Sequence, residues 1–175
     1  VEYGIEALKA VWHRGAVDVD GKTGDGAGIH VEIPKDFFIE KIEVTGHDYD
    51  NSEICVGMIF LPRNDYSSQE SCKTIVESEL TKNNFSIYGW RQVPVNPKIL
   101  GEKAFQTMPE IIQVLFKSND SNLIDKDLER KIYETRKKIE NKAFELSLNN
   151  FYICSISSKS IIYKGLYLAQ AISDF

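Results

Sequence analysis

Residues 13–29 read HRGAVDVDGKTGDGAGI, and what they are decides what the rest of the chain is. The middle of this stretch, Asp18 to Gly28, is polar and rich in glycine, the composition of a loop. Before it, Ile5, Leu8, Val11 and Trp12 recur at helical spacing and predict an amphipathic helix over residues 2–12, which Gly15 can end. After it, apolar residues from Ile29 to Ile33 alternate with His30 and Glu32. That pattern predicts a half-buried strand stopped by Pro34.

A glycine-rich loop next to Lys and Asp invites three familiar assignments, and each fails on spacing. A phosphate-binding P-loop places Gly five positions before the Gly21-Lys22-Thr23 end, where this chain has Ala16. Asp18 and Asp20 would also repel a phosphate. The dinucleotide fingerprint has Gly24 and Gly26, but its third Gly falls one residue early, at Gly28. The segment opens a strand rather than a helix. An EF-hand could start with Asp18 and Asp20, but Lys22 then takes a ligand position and Thr23 replaces the required Gly.

Further along, Lys35 to Ile42 suits a short helix after Pro34. Ile54 to Leu61 is nearly continuous apolar sequence, the mark of a strand covered on both faces. Residues 67–83 predict a helix capped by Ser67 or Ser68, residues 85–95 an extended segment, and residues 110–116 another apolar strand. The longest helix is expected over 125–148. Its basic residues, among them Arg130, Lys131, Arg136, Lys137 and Lys138, mix with Glu129, Glu134 and Glu140 as a solvated, ion-paired face. Phe151 to Ile156 and Ile161 to Lys164 read as the arms of a hairpin turning at Ser157 to Ser160. Alternating helices and doubly buried strands point to sheets covered by helices.

Length and charge narrow the function. A chain of 175 residues suits one domain, which removes roughly 70% of its unfolded surface from water. The net charge of −5 argues against nucleic-acid and anionic-membrane partners, which call for clustered Lys and Arg. Cys55, Cys72 and Cys154 are odd in number and lack metal-site spacing, so packed free thiols in a reducing, cytoplasmic setting are expected, with no metal site. Starting at Val1 with a helix already under way, the chain is expected to be a piece of something longer. On chemistry alone Arg14, at a helix end beside glycine, can orient a carboxylate or a thiolate. His13 can cap carbonyls, pack or take part.

His13-Arg14-Gly15 followed by Asp25-Gly26-Ala27-Gly28-Ile29 resembles the signature of class II glutamine amidotransferases. The long insert between the halves is similar to the form in the glutamate synthase family. Gly57 to Pro62, Gly89-Trp90-Arg91-Gln92-Val93-Pro94, Leu100-Gly101 with Ala104, Pro109 to Val114, Arg136 to Glu140, Phe151 to Ser155 and Tyr163 to Leu166 resemble that family in the same order. The resemblance implies an N-terminal nucleophile hydrolase fold: an α+β, four-layer αββα sandwich, here incomplete, with residues 1–175 a partial amidotransferase domain. It implies hydrolysis of L-glutamine to glutamate and ammonia, for transfer to 2-oxoglutarate in glutamate biosynthesis by a longer oxidoreductase. FMN, an iron–sulfur cluster and possible pairing with a small reductase subunit belong to that parent, and none of these cofactors to this fragment.

The family nucleophile is a Cys at the mature N-terminus whose own α-amine is its base, expected upstream of Val1. The family's carboxylate-binding Arg and its oxyanion-hole Asn-Gly pair are expected beyond Phe175. The fragment alone is therefore expected to be inactive. By resemblance Arg14 is an orienting donor near the nucleophile, His13 a weaker catalytic candidate, and Gly15, Asp25, Gly26 and Gly28 shape the substrate site. The alternative is a binding or interaction module that keeps the fold without the chemistry.

Overall fold

A computed structural model describes residues 2–175, except the side chain of Arg14. The chain is α+β and divides into two compact units. One comprises the chain through Val31, Pro94–Met108 and Ile162–Phe175; the other comprises Glu32–Val93 and Pro109–Ile161.

The second unit is built on a four-stranded antiparallel sheet in the order β3-β4-β2-β5, with β2 Cys55–Leu61, β3 Phe85–Gln92, β4 Glu110–Ser118 and β5 Tyr152–Ser157. The apolar run expected at 54–61 is β2, and all of it except Phe60 is buried. Cys55, Ile59 and Leu61 of β2 join Ile112, Val114 and Phe116 of β4 in one cluster. Helices α3 (Tyr66–Lys82) and α5 (Asp125–Glu145) complete it with Cys72, Val76 and Leu80, and with Leu128, Ile132 and Ile139. Each large side chain removed from water there contributes about 1.5–3 kcal/mol. Residues of the opposite pleat, Val56, Met58 and Leu115, are equally buried. Helix α2 (Lys35–Val44) buries Phe38 and Ile42 in the same unit.

The Gly89-Trp90-Arg91 segment serves this sheet. The β3–β4 register shifts between Ile87 and Gly89, and Gly89 has φ +152°. A Cβ at Gly89 would lie 2.8 Å from the Thr45 methyl, so a larger residue does not fit. Trp90 Nε1 donates to Glu77 Oε1 on α3 (2.6 Å). Arg91 Nη1 donates to Gln113 Oε1 (2.8 Å), and its guanidinium sits 5.1 Å from the Phe37 ring centroid. Gln113 is wholly buried, so its side chain needs such a partner.

Three expectations change. Helix α3 is capped by Asp65 rather than Ser67 or Ser68; its carboxylate accepts from Ser68 N (3.0 Å) and Ser68 Oγ (2.6 Å). Residues 151–164 are not a hairpin. β5 pairs with β2, whereas β6 (Ser160–Gly165) pairs with β1 (Ala27–Glu32) in a separate two-stranded sheet. The serines between β5 and β6 are held by Glu129 of α5, which accepts from Ser157 Oγ (2.9 Å), Ser158 N (2.7 Å) and Ser158 Oγ (2.8 Å). Nor is the charged face of α5 wholly solvated. Arg136 Nη2 donates to Ile153 O (2.8 Å), where the β2–β5 register slips past Cys154. Its Nε meets Glu140 Oε1 at 2.6 Å.

Two α5 cations thus have different roles. Removing Arg136 leaves a buried strand carbonyl short of a charged donor, so Arg136→Ala is expected to cost about 1.5–3 kcal/mol. Lys137, exposed, pairs with Glu140 and lies 5.9 Å from the Tyr133 ring centroid, and Lys137→Ala is expected to cost less than about 1 kcal/mol. Urea midpoints distinguish them; equal shifts would return Arg136 to the solvated face.

Candidate active site

The first unit carries the sequence signature. Helix α1 (Glu2–Ala10) is followed by a 3-10 turn over Trp12–Arg14, and Gly15 N donates to Trp12 O (3.1 Å). Gly15 closes this turn in extended conformation, not the left-handed one usual for a glycine cap. What it lacks is room: a Cβ would sit 3.1 Å from Asp25 Oδ1.

Between Gly15 and Asp25 the insert doubles back as a narrow hairpin. Asp25 N donates to Ala16 O (3.3 Å), Val17 bridges Gly24, and Asp18 N donates to Thr23 O (2.9 Å). At the tip Gly21 N donates to Asp18 O (2.9 Å), with Gly21 at φ +68°, which glycine adopts without strain. Asp20 organises this tip. Its Oδ1 accepts from Lys22 N (2.9 Å) and Thr23 N (2.7 Å), and its Oδ2 accepts from Thr23 Oγ1 (2.6 Å). Gly101, the residue just before α4 (Glu102–Thr107), packs directly against this carboxylate and Thr23. Lys103 Nζ of α4 meets Asp18 Oδ2 at 2.9 Å.

Behind the hairpin, Leu100, Ala104 and Tyr167 form a small core, joined by Ala27, Met108 and Phe175. Backbones approach closely here. A Cβ on Gly28 would come within 2.7 Å of Lys164 Cβ and 2.8 Å of Tyr163 O. One on Gly101 would fall 2.2 Å from both Asp20 Oδ2 and Thr23 Oγ1.

The expected site residues therefore fall into two groups. Gly15 and Asp25 meet at the base of the hairpin, and His13 lies in the 3-10 turn just before it, with His13 and Asp25 exposed. The backbone of Arg14 lies in the same turn, but its side chain, the expected donor, is outside the described residues. Gly26, at φ +121°, and Gly28 lead away along the start of β1, which alternates in burial as its sequence predicts. Asp20, Gly101 and the whole of α4 lie outside the expected site, which takes in the loop 23–28 and with it Thr23. The Asp-x-x-Thr spacing was a usable signal, since such carboxylates bond backbone N–H groups two and three residues on.

The hairpin holds its own anion. The N–H groups of Lys22 and Thr23, which a bound phosphate would need, are taken by Asp20. Among the described residues no group of three His, Cys, Asp or Glu is placed to hold a metal ion. Cys55, Cys72 and Cys154 lie on β2, α3 and β5 and are buried, so they do not fit the clustered thiolates of an iron–sulfur cluster. No described helix is long and apolar enough to cross a membrane.

Hydrogen bonds, first those of Thr23, lower the Asp20 carboxyl from 3.8 to about 2. A depressed carboxylate stabilises fully above its unfolded value and loses that contribution as the pH falls through the folded one. The Thr23 amide resonance is therefore expected to hold steady down to about pH 4 and then move with a midpoint near 2. A midpoint at 3.8 would mean that the carboxylate is not engaged.

Comparison with known proteins gives the family of the chain. Residues 1–175 match the class-II glutamine amidotransferases. The NADPH glutamate synthase large chain of Azospirillum brasilense is 51% identical over 175 residues, covering 100% of this chain and 12% of its own length. Ferredoxin-dependent glutamate synthase 1 of Arabidopsis thaliana is 39% identical, covering 100% of this chain and 11% of its own. The ferredoxin-dependent enzyme of Pyropia yezoensis is 38% identical, with 98% and 11% covered. This chain thus spans about an eighth or less of the curated relatives it matches. By its match from first residue to last, it belongs to the class-II glutamine amidotransferases.

Proposed function

We propose that this chain is part of the glutaminase domain of a glutamate synthase. It helps to convert the side-chain amide of L-glutamine, with one water, to glutamate and ammonia, and the ammonia passes to 2-oxoglutarate. The observation that carries this reading is the 51% identity along the entire chain to a glutamate synthase large chain. Residues 1–175 are read as part of one amidotransferase domain, with its two sheets in the four-layer αββα arrangement of N-terminal nucleophile hydrolases. A binding module without chemistry is the less favoured reading, because the relatives named are synthases.

The residues at the hairpin base take the roles that the family suggests. Arg14 is proposed to orient the reacting group with fixed donors, with His13 beside it. Gly15 leaves room for the Asp25 carboxylate, and Gly26 and Gly28 let the backbone pass close to β6. No nucleophile is assigned among the three thiols. Cys55 and Cys154 are buried in strands, and burial pushes the Cys55 thiol well above its ordinary range. The Cys72 thiol is likewise pushed up to about 11. A thiol kept protonated and away from substrate cannot attack an amide. An N-terminal Cys, as in the family, is the proposed nucleophile of the parent protein.

Flavin and iron–sulfur chemistry is assigned to other domains of the parent, and a small reductase subunit to its partners. One relative is named for NADPH and others for ferredoxin, so the amidotransferase domain is compatible with either donor. The buried free thiols accord with a reducing compartment.

Incubated with L-glutamine, these 175 residues alone are expected to release no ammonia above background, and the three thiols to react with a disulfide reagent only after unfolding. Turnover by this chain, or a reactive thiol in the folded state, would overturn the assignment. In the full-length parent, Arg14→Ala is expected to lower kcat/KM for glutamine hydrolysis about 100-fold; an unchanged value would remove Arg14 from the site.

A further inference from the structure

We propose that Asp20 is a positioning residue for glutamine hydrolysis, latching the 16–25 hairpin to the start of α4 and so fixing the Arg14–Gly15 backbone at the hairpin base. The inference rests on the reading given under Proposed function and adds to it a residue that the family signature does not include.

The hairpin needs such a latch. Its own ladder consists of the Ala16–Asp25 bond, the Val17–Gly24 bridge and the Asp18–Thr23 bond. A two-stranded hairpin of that length is marginal in water by itself. Its outward side chains do not bury it either: Val17 is 48% exposed and Val19 fully so. Thr23 is the exception, at 6%, and Asp20 holds both its N–H and its hydroxyl.

Two contacts tie the hairpin to α4, and they are unequal. The Lys103–Asp18 pair is exposed on the lysine side and can contribute little. The Asp20 carboxylate instead gathers the N–H groups of Lys22 and Thr23 and the Thr23 hydroxyl, all charge-assisted bonds, and packs directly against Gly101 at the start of α4. Gly101 makes this approach possible, since a methyl group there would occupy the place of Asp20 Oδ2 and Thr23 Oγ1. From Thr23 the strand runs through Gly24 to Asp25, whose N–H bonds Ala16 and whose carboxylate rests against Gly15. A displacement of the tip therefore reaches the turn that carries Arg14. Because no hairpin residue belongs to the apolar cluster of the four-stranded sheet, loosening the hairpin leaves that cluster packed.

The test measures glutamine hydrolysis in the full-length parent protein. Asp20→Ala is expected to lower kcat/KM roughly 10- to 100-fold, with the amide spectrum of the four-stranded sheet unchanged. Gly101→Ala, which breaks the same latch from the other side, is expected to give a loss of similar size. Asp20→Asn, which keeps the Oδ1 acceptor, is expected to recover part of the activity. Combined with Arg14→Lys, Asp20→Ala is expected to add little further loss, because both act through one group; a merely structural role would multiply the two losses. Full activity of Asp20→Ala, or multiplicative losses, would overturn the positioning role while leaving the glutaminase reading in place. A parent protein that does not hydrolyse glutamine at all would overturn both.

Discussion

The second unit depends on the central strands β2 and β4 being out of water on both faces. Val56, Met58 and Leu115 on one pleat, and Ile59, Val114 and Phe116 on the other, are all at 1% exposure or less. Each face must then be covered, and every polar group caught in this region must find a partner inside the protein. That requirement explains residues that otherwise look arbitrary. Gln113 sits mid-strand because Arg91 reaches it. Thr135, fully buried on α5, returns its hydroxyl proton to Lys131 O (2.8 Å). Glu129 and Arg136 turn inward from a charged helix because the 157–158 turn and the bulge in β5 leave backbone groups that the sheet does not pair.

The first unit is organised differently. Its apolar cluster is small, and its precision comes from backbone segments too close for a methyl group between them, at Gly28 against Tyr163–Lys164 and at Gly101 against Asp20 and Thr23. Geometry of that kind suits a site. Glycine contacts and carboxylate bonds fix position sharply, whereas apolar packing tolerates exchange of similar volumes.

These differences govern what could be read from sequence. Strand β1 was legible from its alternation and β2 from its unbroken apolar run, since each pattern records burial directly. The Ser157–Ser160 turn was misread because a serine-rich break between apolar runs looks the same whether the strands pair with each other or with different sheets. The two are distinguished by partners far away in sequence, β2 for β5 and β1 for β6. At the start of α3 the Asp65-x-x-Ser68 spacing, rather than the serines themselves, marks the cap. Helix α4 escaped because six residues are too few to display a period. At the proposed site, the Arg14–Gly15 turn and the Asp25–Gly28 run are suggested by resemblance, whereas Asp20 is not, because its partners are groups of Lys22 and Thr23 in the insert itself.

One physical fact also accounts for the two phosphate-binding motifs that residues 13–29 nearly match. A tight glycine-containing turn presents successive N–H groups to one point, and such a point attracts an anion. In a P-loop the anion is a phosphate; here it is the carboxylate of Asp20, supplied by the chain itself and already bonded to Lys22 and Thr23. The spacing departs from the nucleotide motifs because the turn need enclose only a carboxylate on its own backbone. The aspartates that argued against phosphate in the sequence are therefore the reason the loop has its shape. A carboxylate in that place, packed against Gly101, converts an anion-binding turn into a fixed joint next to the Arg14 turn.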